Sequence, residues 1–306
     1  MTTSIGIDIG GTKIEIIALD DTGGTELFRK RVNTPLNYDD FIKANVDLIN
    51  EAKAAVGKIS HIGVGVPGIA YPDGTINIFT TFDFVKPSFA HDLSQKVNLP
   101  VAVANDANCF ALSESYDGAG KDYNNVFAII AGSGIGAGLV INKKLISGAH
   151  SITGEWGNLT LPFPKPEETT RTSKTRITGG IETNLSGPEL IVEYNNLTGK
   201  NITSVKDIVT AAASGEKAAL DLMDKVYDRF ARMLLIPLIM IDPDIYVLGG
   251  GLSNIKDIYT KVPPLVTKYA KNIFGKDVSI NLKPAEHGDS SGVRGAAWLW
   301  KMKNKD

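Results

Sequence analysis

The chain has 306 residues, 43% of them hydrophobic and 22% charged, a composition that excludes disordered and fibrous proteins. Its 32 basic and 34 acidic residues give a net charge of −2, which argues against a nucleic-acid partner. Cys109 is the only cysteine, so no internal disulfide can form. The longest apolar run, residues 233–241, is far shorter than the roughly 20 residues that span a bilayer. Without an apolar leader at its start, the sequence predicts a cytoplasmic protein with no membrane partner.

Short β-branched runs that end in glycine recur along the chain and are typical of strands followed by tight turns. Residues 5–9 precede Gly10 and Gly11, and residues 13–19 then alternate, which predicts a strand, a glycine turn and a returning strand. Residues 126–144 repeat this plan about 120 residues later and close with a second turn at their last three residues. The repeat indicates two related halves, each with its own sheet.

Helices are predicted between these strands, where apolar residues recur at helical spacing. The stretches are residues 38–56, 215–240, 253–273 and 292–303. Pro237 is expected to kink or end the second of them, and residues 162–178 predict the longest loop. Strands interspersed with helices are typical of an α/β protein with mixed sheets.

The glycine turns have two interpretations. Glycine lets backbone N–H groups point at phosphate oxygens, and a neighbouring hydroxyl adds a donor; the alternative is a tight turn alone. Residues 132–137 match the dinucleotide pattern G-x-G-x-x-A, but a strand is predicted to follow them, which argues against a Rossmann dehydrogenase. The sequence contains no G-x-x-x-x-G-K-[ST], which excludes a P-loop. Residues 249–251 precede a predicted helix, with Ser253 or Asn254 as its cap, and would let a nucleoside lie against the backbone.

Carboxylates beside predicted strand ends form a second group of candidates. Asp8 ends the first strand, where it would cap the turn or hold a Mg²⁺-bound water. Asp106 follows the buried strand 100–104 and is suited either to bind a ligand at the sheet edge or to cap the next helix. Glu155 and Glu182 lie beside glycines outside any regular periodicity. There a carboxylate can accept hydrogen bonds from two sugar hydroxyls or be a solvated surface acid.

Five motifs occur in order along nearly the whole chain. They are Asp8-Ile9-Gly10-Gly11-Thr12-Lys13, Asn105-Asp106-Ala107-Asn108, Gly132-Ser133-Gly134-Ile135-Gly136, Gly154-Glu155-Trp156-Gly157 and residues 241–251. Together they resemble those of the ROK sugar kinases of the actin/hexokinase/Hsp70 superfamily, and residues 117–119 and 287–298 look most like the bacterial fructokinase and mannokinase branch.

This resemblance implies an α/β fold with two ribonuclease-H-like domains of the actin-like ATPase type, whose mixed sheets flank a cleft. The N-terminal domain would comprise residues 1–115 plus 290–306, and the C-terminal domain residues 116–289. The final helix would return to the first domain. Many relatives form homodimers, and a homodimer is the assembly that the resemblance implies.

The resemblance also implies a role for each matching residue. Asp106 would be the general base that takes the proton from the attacking sugar hydroxyl, and Asp8 would place Mg²⁺ through a bound water. Sugar contacts would come from Gly68, Asn105, Glu155, Asn158 and Glu182. Nucleotide contacts would come from Asp8, Gly10, Gly11, Thr12, Lys13, Gly132, Ser133, Gly134, Gly249, Gly250 and Gly251. ATP, Mg²⁺ and a small-molecule sugar are therefore expected.

The sequence departs from the family pattern at two places. Many relatives hold zinc with one histidine and three cysteines. This chain has Asn158, Ser173, Thr175 and Gly180 at those positions. Structural zinc takes about four nitrogen or sulfur ligands, so no zinc is expected. Residues 79–86 lack the asparagine and the tryptophan or glycine that usually line the sugar site.

These observations predict an ATP-dependent kinase that phosphorylates O6 of fructose or mannose. The alternatives are an N-acetylglucosamine, N-acetylmannosamine or glucose kinase and, in a different class, a non-catalytic sugar-binding regulator. ROK repressors carry an N-terminal helix-turn-helix, whereas the first predicted strand begins here at Ser4. Together with the presence of Asp106, this favours the enzyme.

Overall fold

Strands and helices follow one another along the chain in the computed structural model, which describes residues 3–20, 24–78 and 84–303. The strands are β1 (Thr3–Ile9), β2 (Lys13–Asp20), β3 (Glu26–Asn33), β4 (Ile62–Val66), β5 (Ile69–Ala70), β6 (Ile76–Asn77), β7 (Val101–Asn105), β8 (Val126–Ala131), β9 (Ile135–Ile141), β10 (Lys144–Leu145), β11 (Ile245–Gly249) and β12 (Leu282–Pro284). The α-helices are α1 (Tyr38–Val56), α2 (Phe89–Val97), α3 (Asp106–Tyr116), α4 (Pro166–Thr169), α5 (Ile181–Leu185), α6 (Gly187–Thr198), α7 (Val205–Ala213), α8 (Lys217–Met240), α9 (Ile258–Phe274) and α10 (Ser291–Lys303). Single 3-10 turns lie at Trp156–Asn158, Gly251–Asn254 and Gly288–Ser290.

The strands form two five-stranded sheets and one small two-stranded sheet. The first sheet has the order β3-β2-β1-β4-β7 and the second the order β10-β9-β8-β11-β12. In the first, β1 pairs antiparallel with β2 and parallel with β4. In the second, β8 is parallel to β11, and β9 is antiparallel to β10. Both sheets are therefore mixed, which confirms the predicted α/β class.

The chain divides into two packing units. The first comprises the residues up to Asn124, residues 138–154 and the residues from Glu286 onward; the second comprises residues 125–137 and 155–285. Helix α10 belongs to the first unit, as the resemblance implied. The boundaries predicted from the sequence, 115/116 and 289/290, stay a prediction.

Both predicted glycine hairpins form. Ile7 on β1 lies opposite Ile16 on β2, and the Gly10 N–H donates to the Lys13 carbonyl at 2.9 Å across the turn. The second hairpin joins β8 to β9 through a turn in which the Gly132 N–H donates to the Gly134 carbonyl at 2.9 Å. The turn predicted at 142–144 also forms, with two consecutive left-handed residues at φ +50° and +62°, the conformation that a two-residue hairpin loop requires.

Strand β2 carries apolar side chains on both faces of the first sheet because helices cover it on both sides. Ile14 and Ile16 pack in one buried cluster with Phe41 of α1. Ile17, which points the other way, packs with Trp298 of α10. The apolar run at residues 16–19 is what a strand covered on both faces requires.

Helix α10 approaches the strands and α3 so closely that only hydrogen fits at three glycines. A Cβ on Gly6 of β1 would lie 2.1 Å from the Val293 carbonyl oxygen, and one on Gly63 of β4 would lie 1.8 Å from that of Ala296. A Cβ on Gly295 would lie 1.6 Å from the carbonyl oxygen of Cys109 in α3. Gly6, Gly63 and Gly295 therefore serve close packing.

One predicted helix differs from the helix observed. The helix expected from Ser253 begins later, because residues 251–254 form a 3-10 turn and α9 starts at Ile258. Ser253 and Asn254 do not cap it, since their side chains donate back to the carbonyls of Gly250 and Gly251. Pro237 lies in the last turn of α8, which ends at Met240. No helix in the described ranges is both long and apolar enough to cross a membrane.

We predict that Gly295→Ala destabilises the protein, by about 1–3 kcal/mol or more, because its Cβ would overlap the Cys109 carbonyl. Helix propensity alone would make alanine more stable than glycine by about 1 kcal/mol. A loss of unfolding free energy in Gly295→Ala would therefore be due to the clash. Urea unfolding measures it. Gly251→Ala is the matched control, since its Cβ would meet nothing within 4 Å. Equal stability of the two variants would contradict the proposed close packing.

Candidate active site

Asp106 is the first residue of α3, directly after the end of β7. The preceding Asn105 is the helix cap, since its side-chain oxygen accepts from the N–H groups of Ala107 at 2.8 Å and Asn108 at 3.3 Å. The Asp106 carboxylate also accepts from the Ala107 N–H at 2.8 Å. Burial raises the pKa of Asp106, and this hydrogen bond offsets part of the increase. The cap role weighed for Asp106 therefore falls mainly on its neighbour.

Asp8 lies near the end of β1 between two glycines. A Cβ on Gly65 of β4 would lie 3.3 Å from its Oδ1, and one on Gly292 of α10 would lie 3.2 Å from its Oδ2. Burial raises its pKa to about 7, and the nearby carboxylates of Asp106 and Glu15 add to the increase. The first unit thus brings two sequence-predicted acids together, in a position where their like charges are unfavourable.

These two acids fit a divalent cation. Carboxylate oxygens are hard ligands, and Mg²⁺ binds through one or two of them while keeping several waters. A cation would also remove the electrostatic penalty that raises the pKa of Asp8. Among the described residues no group of three His, Cys, Asp or Glu side chains could hold a metal.

The turn after Asp8 is exposed, and hydrogen bonds from Thr34 hold it in place. Thr34, which follows β3, donates through its side chain to the Gly10 carbonyl at 2.7 Å and through its N–H to the Thr12 carbonyl at 3.0 Å. Gly11, Thr12 and Lys13 are exposed. The turn is therefore fixed while its tip remains accessible to a ligand.

In the second unit, two predicted glycine turns line one pocket of about 890 Å³. Gly132 and Ser133 form one part of its wall and Gly251 another. The Gly132 carbonyl accepts from the N–H of Gly187, the first residue of α6, at 2.8 Å. Volumes of this order are typical of ligand pockets, and a helix N-terminus beside a glycine turn favours anions.

Part of this pocket was not predicted from the sequence. Its opposite wall consists of Pro188, Ile191, Thr203, Ser204, Val205, Lys206, Val209 and Thr210. Ser204 caps α7 by accepting from the Lys206 N–H at 3.2 Å. A capping serine indicates where a helix starts but does not indicate a ligand, so the sequence did not predict this wall of the pocket.

Glu182, near the start of α5, contacts the turn after β8. Its Oε1 accepts from the Ile135 N–H at 2.6 Å. A Cβ on Gly134 would lie 2.7 Å from that oxygen, and one on Gly157 would lie 2.7 Å from its Cγ. The second unit therefore brings a predicted sugar residue and a predicted nucleotide turn into direct contact.

The remaining predicted sugar residues have different settings. Glu155 and Asn158 are exposed at the ends of the 3-10 turn, whose Trp156 is buried against Phe127 with ring centres 5.0 Å apart. In the first unit the Asn105 side chain donates to the Gly68 carbonyl at 2.9 Å, and a hydrogen bond from the same side chain to Asp106 acts to lower the pKa of that carboxyl. Residues 79–83, part of the second sequence departure, lie outside the described residues.

The positions of the family's zinc ligands do not fit zinc. Asn158, Ser173, Thr175 and Gly180 supply neither thiolate nor imidazole, which structural zinc prefers. The Ser173 hydroxyl instead donates to Glu189 Oε1 at 2.7 Å. The absence of a zinc site stays a prediction, and no step below depends on one.

Buried ion pairs and hydrogen bonds hold the chain segment that contains Ser173, Thr175 and Gly180. We call Arg171, Arg229, Arg232, Glu168 and Glu193 the arginine cluster. Arg232 donates to both oxygens of Glu168, at 2.6 and 2.8 Å, and Arg229 donates to both oxygens of Glu193, at 2.7 and 3.2 Å. Arg171 also pairs with Glu193. Arg229 and Arg232 are each 1% exposed.

The cluster reaches the segment before α5 from the long helix α8. Arg229 donates to the Asn184 carbonyl at 3.0 Å, and the Asn184 side chain donates in turn to the Gly180 carbonyl at 3.0 Å. Arg232 donates to the carbonyl of Phe163 at 3.2 Å. Sequence reasoning missed this arrangement because its charged partners lie 22 to 64 residues apart.

The sequence profile of the ROK family matches residues 4–303. The chain is 38% identical to the N-acetyl-D-glucosamine kinase of Pectobacterium atrosepticum, over 98% of this chain and 99% of that protein.

Two solved structures have the same fold. One is a ROK hexokinase from Thermus thermophilus, with a TM-score of 0.85, 24% identity and 99% of each chain covered. The other is a ROK family glucokinase from Streptomyces griseus, in complex with glucose and AMPPNP, with a TM-score of 0.73, 26% identity, and 97% of this chain and 98% of that one covered.

The fold is therefore that of the actin-like ATPase superfamily, with the mixed sheets expected from the sequence. The match to the family model and the identity to a relative over almost its whole length also identify the family. The chain belongs to the ROK family.

We predict that Glu168→Gln destabilises the protein by about 3–5 kcal/mol at pH 7, because it leaves buried arginines without a full partner. Burial opposes ionisation of Glu168, but the hydrogen bonds from Arg232 and the Lys165 N–H outweigh it and hold its pKa below the ordinary value. The ionised carboxylate therefore stabilises the fold above its unfolded pKa of about 4.3, and this stabilisation is lost as the pH falls through the lowered folded pKa.

Urea unfolding between pH 3 and 7 measures both effects. The wild type should lose unfolding free energy below about pH 5, with a smaller acid slope in Glu168→Gln. Glu167→Gln is the matched control, because Glu167 is the exposed neighbour in the same short helix. A Glu168→Gln variant as stable as this control would disprove the structural role of the arginine cluster.

Proposed function

We propose that the protein is an ATP-dependent sugar kinase whose preferred substrate is N-acetylglucosamine. Support comes from the 38% identity to an N-acetyl-D-glucosamine kinase over almost the full length of both chains. The sequence prediction of fructose or mannose is not favoured by this relative, and the proposal adopts the alternative. Phosphorylation at O6 stays a prediction.

The observation that carries the proposal is the setting of Asp106. Its carboxylate is partly buried at the end of a strand, and the adjacent Asn105 supplies the main helix cap. Burial raises its pKa, and a raised pKa strengthens a carboxylate as a base. Asp106 is thus suited to accept a proton from a bound hydroxyl.

The proposed reaction is a single phosphoryl transfer. The sugar hydroxyl oxygen forms a bond to the γ-phosphorus of ATP, the bond from that phosphorus to the β-phosphate oxygen breaks, and Asp106 takes the hydroxyl proton. Such a transfer depends on positioning and charge stabilisation more than on covalent chemistry of the protein. Mg²⁺, when bound near Asp8, would neutralise phosphate charge.

The nucleotide contacts are proposed at the glycine turns. In the second unit the pocket between Gly132, Gly251 and α7 would hold the nucleoside, and the turn at Ser133 the phosphates. In the first unit the exposed turn of Gly11, Thr12 and Lys13 would hold phosphate through its N–H groups. In the second unit, Glu155, Asn158 and Glu182 are proposed to bind sugar hydroxyls, and in the first unit the same role is proposed for Asn105 and Gly68.

We predict that Asp106→Asn lowers kcat for N-acetylglucosamine by at least about 10²-fold, the usual contribution of a general base. The amide keeps the size of the side chain and removes its ability to take a proton. ADP release at saturating Mg-ATP measures turnover, and calorimetric titration measures sugar affinity. Near-normal kcat would remove Asp106 from the role, whereas unchanged sugar binding with lost turnover would support it.

We also predict that kcat/KM for N-acetylglucosamine exceeds that for glucose, mannose, fructose and N-acetylmannosamine by about tenfold or more. A site that hydrogen-bonds the acetamido group rejects glucose, mannose and fructose, which lack it, and N-acetylmannosamine, which carries it in the opposite configuration, because its own polar groups then stay unpaired. The same ADP-release measurement on the five sugars tests this. Higher kcat/KM for fructose or mannose would return the assignment to the sequence prediction.

A further inference from the structure

Arg176, in the loop between α4 and α5, contacts two parts of the proposed site within the second unit. Its guanidinium donates to the Ser133 carbonyl in the glycine turn. Its Nε lies 3.5 Å from Glu182 Oε2, and its Nη1 lies 3.6 Å from Glu189 Oε1. The side chain is 17% exposed, so most of it is enclosed by these partners.

Glu182 is consequently held at both carboxylate oxygens. Oε1 accepts from the Ile135 N–H at 2.6 Å, and Oε2 faces Arg176. A backbone N–H bonds one oxygen, and the guanidinium of Arg176 lies beside the other. The orientation of the carboxylate therefore depends on a residue with no predicted role of its own.

The guanidinium suits this position because it is planar and has five N–H donors in a fixed arrangement. One edge meets the Ser133 carbonyl, while the remaining donors face the carboxylates. The buried Nε–H of Arg176 makes no hydrogen bond within the described residues, and its nearest acid is Glu182. A lysine has the charge but a single donor group, and does not reach two directions at once.

We propose that Arg176 is a positioning residue for sugar binding, which orients the Glu182 carboxylate and ties it to the Ser133 turn. This inference rests on the proposed function, in which Glu182 accepts hydrogen bonds from sugar hydroxyls. Without Arg176, one oxygen of Glu182 loses its positive neighbour and the carboxylate rotates about its remaining contact. The sugar then binds more weakly, while Asp106 keeps its own surroundings.

The test compares Arg176→Ala and Arg176→Lys with Lys174→Ala. Lys174 is exposed and lies two residues away, so its substitution removes the same charge from the same loop. KM and kcat are measured for N-acetylglucosamine and for ATP, and sugar binding is measured by calorimetry without nucleotide. A thermal melt of each variant separates loss of folding from loss of positioning.

The expected result is a KM for the sugar raised about tenfold or more in Arg176→Ala, because Glu182 loses its ion pair with the guanidinium and a binding group displaced by about 1 Å can lose that much. KM for ATP and kcat should stay within about threefold of wild type, since loss of ground-state binding raises KM alone. Arg176→Lys should recover part of the affinity, and Lys174→Ala should match wild type.

Two outcomes would overturn the inference. Sugar affinity in Arg176→Ala equal to that of Lys174→Ala would show that the guanidinium does not position Glu182. A raised KM for ATP with unchanged KM for the sugar would assign Arg176 to phosphate binding instead. Failure of the proposed function is distinct, because the wild type itself would then neither bind nor phosphorylate N-acetylglucosamine.

Discussion

The close approach of α10 to the first sheet is the constraint on which the first unit depends. Backbone carbonyls of α10 occupy the space where side chains would stand on Gly6 and Gly63, so the helix lies directly on β1 and β4. The same helix presses against α3 at Gly295. Because Asp8 lies near the end of β1 and Asp106 begins α3, this packing determines where both carboxylates lie. The placement of the two acids thus follows from the close contacts at Gly6, Gly63 and Gly295.

The second unit depends on the buried ion pairs of the arginine cluster, whereas the first unit depends on the close packing of α10. Burying an arginine is unfavourable unless its donors are satisfied, and Arg229 and Arg232 each find carboxylates and backbone carbonyls. Those carbonyls belong to the segment that leads to α5. The arginines are therefore stable only if this segment lies against α8, and the segment is ordered only if the arginines hold it. Removal of one charged side chain of the arginine cluster leaves its partner as an unpaired buried charge, which is strongly destabilising.

Local sequence patterns predicted the parts of the fold that local physics determines. The hairpins at Gly10 and Gly132 follow from alternation and glycine, and the left-handed turn at Asn142 follows from turn chemistry. The late start of α9 was missed, because residues 251–254 donate back to nearby carbonyls rather than cap a helix. The arginine cluster was missed for a different reason, since its partners are adjacent only after folding and no periodicity marks them. The resemblance supplied the candidate residues, but their immediate partners, such as Arg176 beside Glu182, emerged from the structure.

The demands on Glu182 explain why a carboxylate, and not an amide, stands at this position. A carboxylate has about four acceptor sites. The Ile135 N–H takes one and Arg176 faces another, which leaves about two for ligand hydroxyls. A glutamine would keep one acceptor oxygen and turn an NH₂ group toward either a backbone N–H or a guanidinium, both of which are donors. The Ile135 N–H and Arg176 therefore require a negatively charged side chain at position 182 even without a bound sugar. The proposed sugar contact uses the acceptor sites of Glu182 that these two donors leave open.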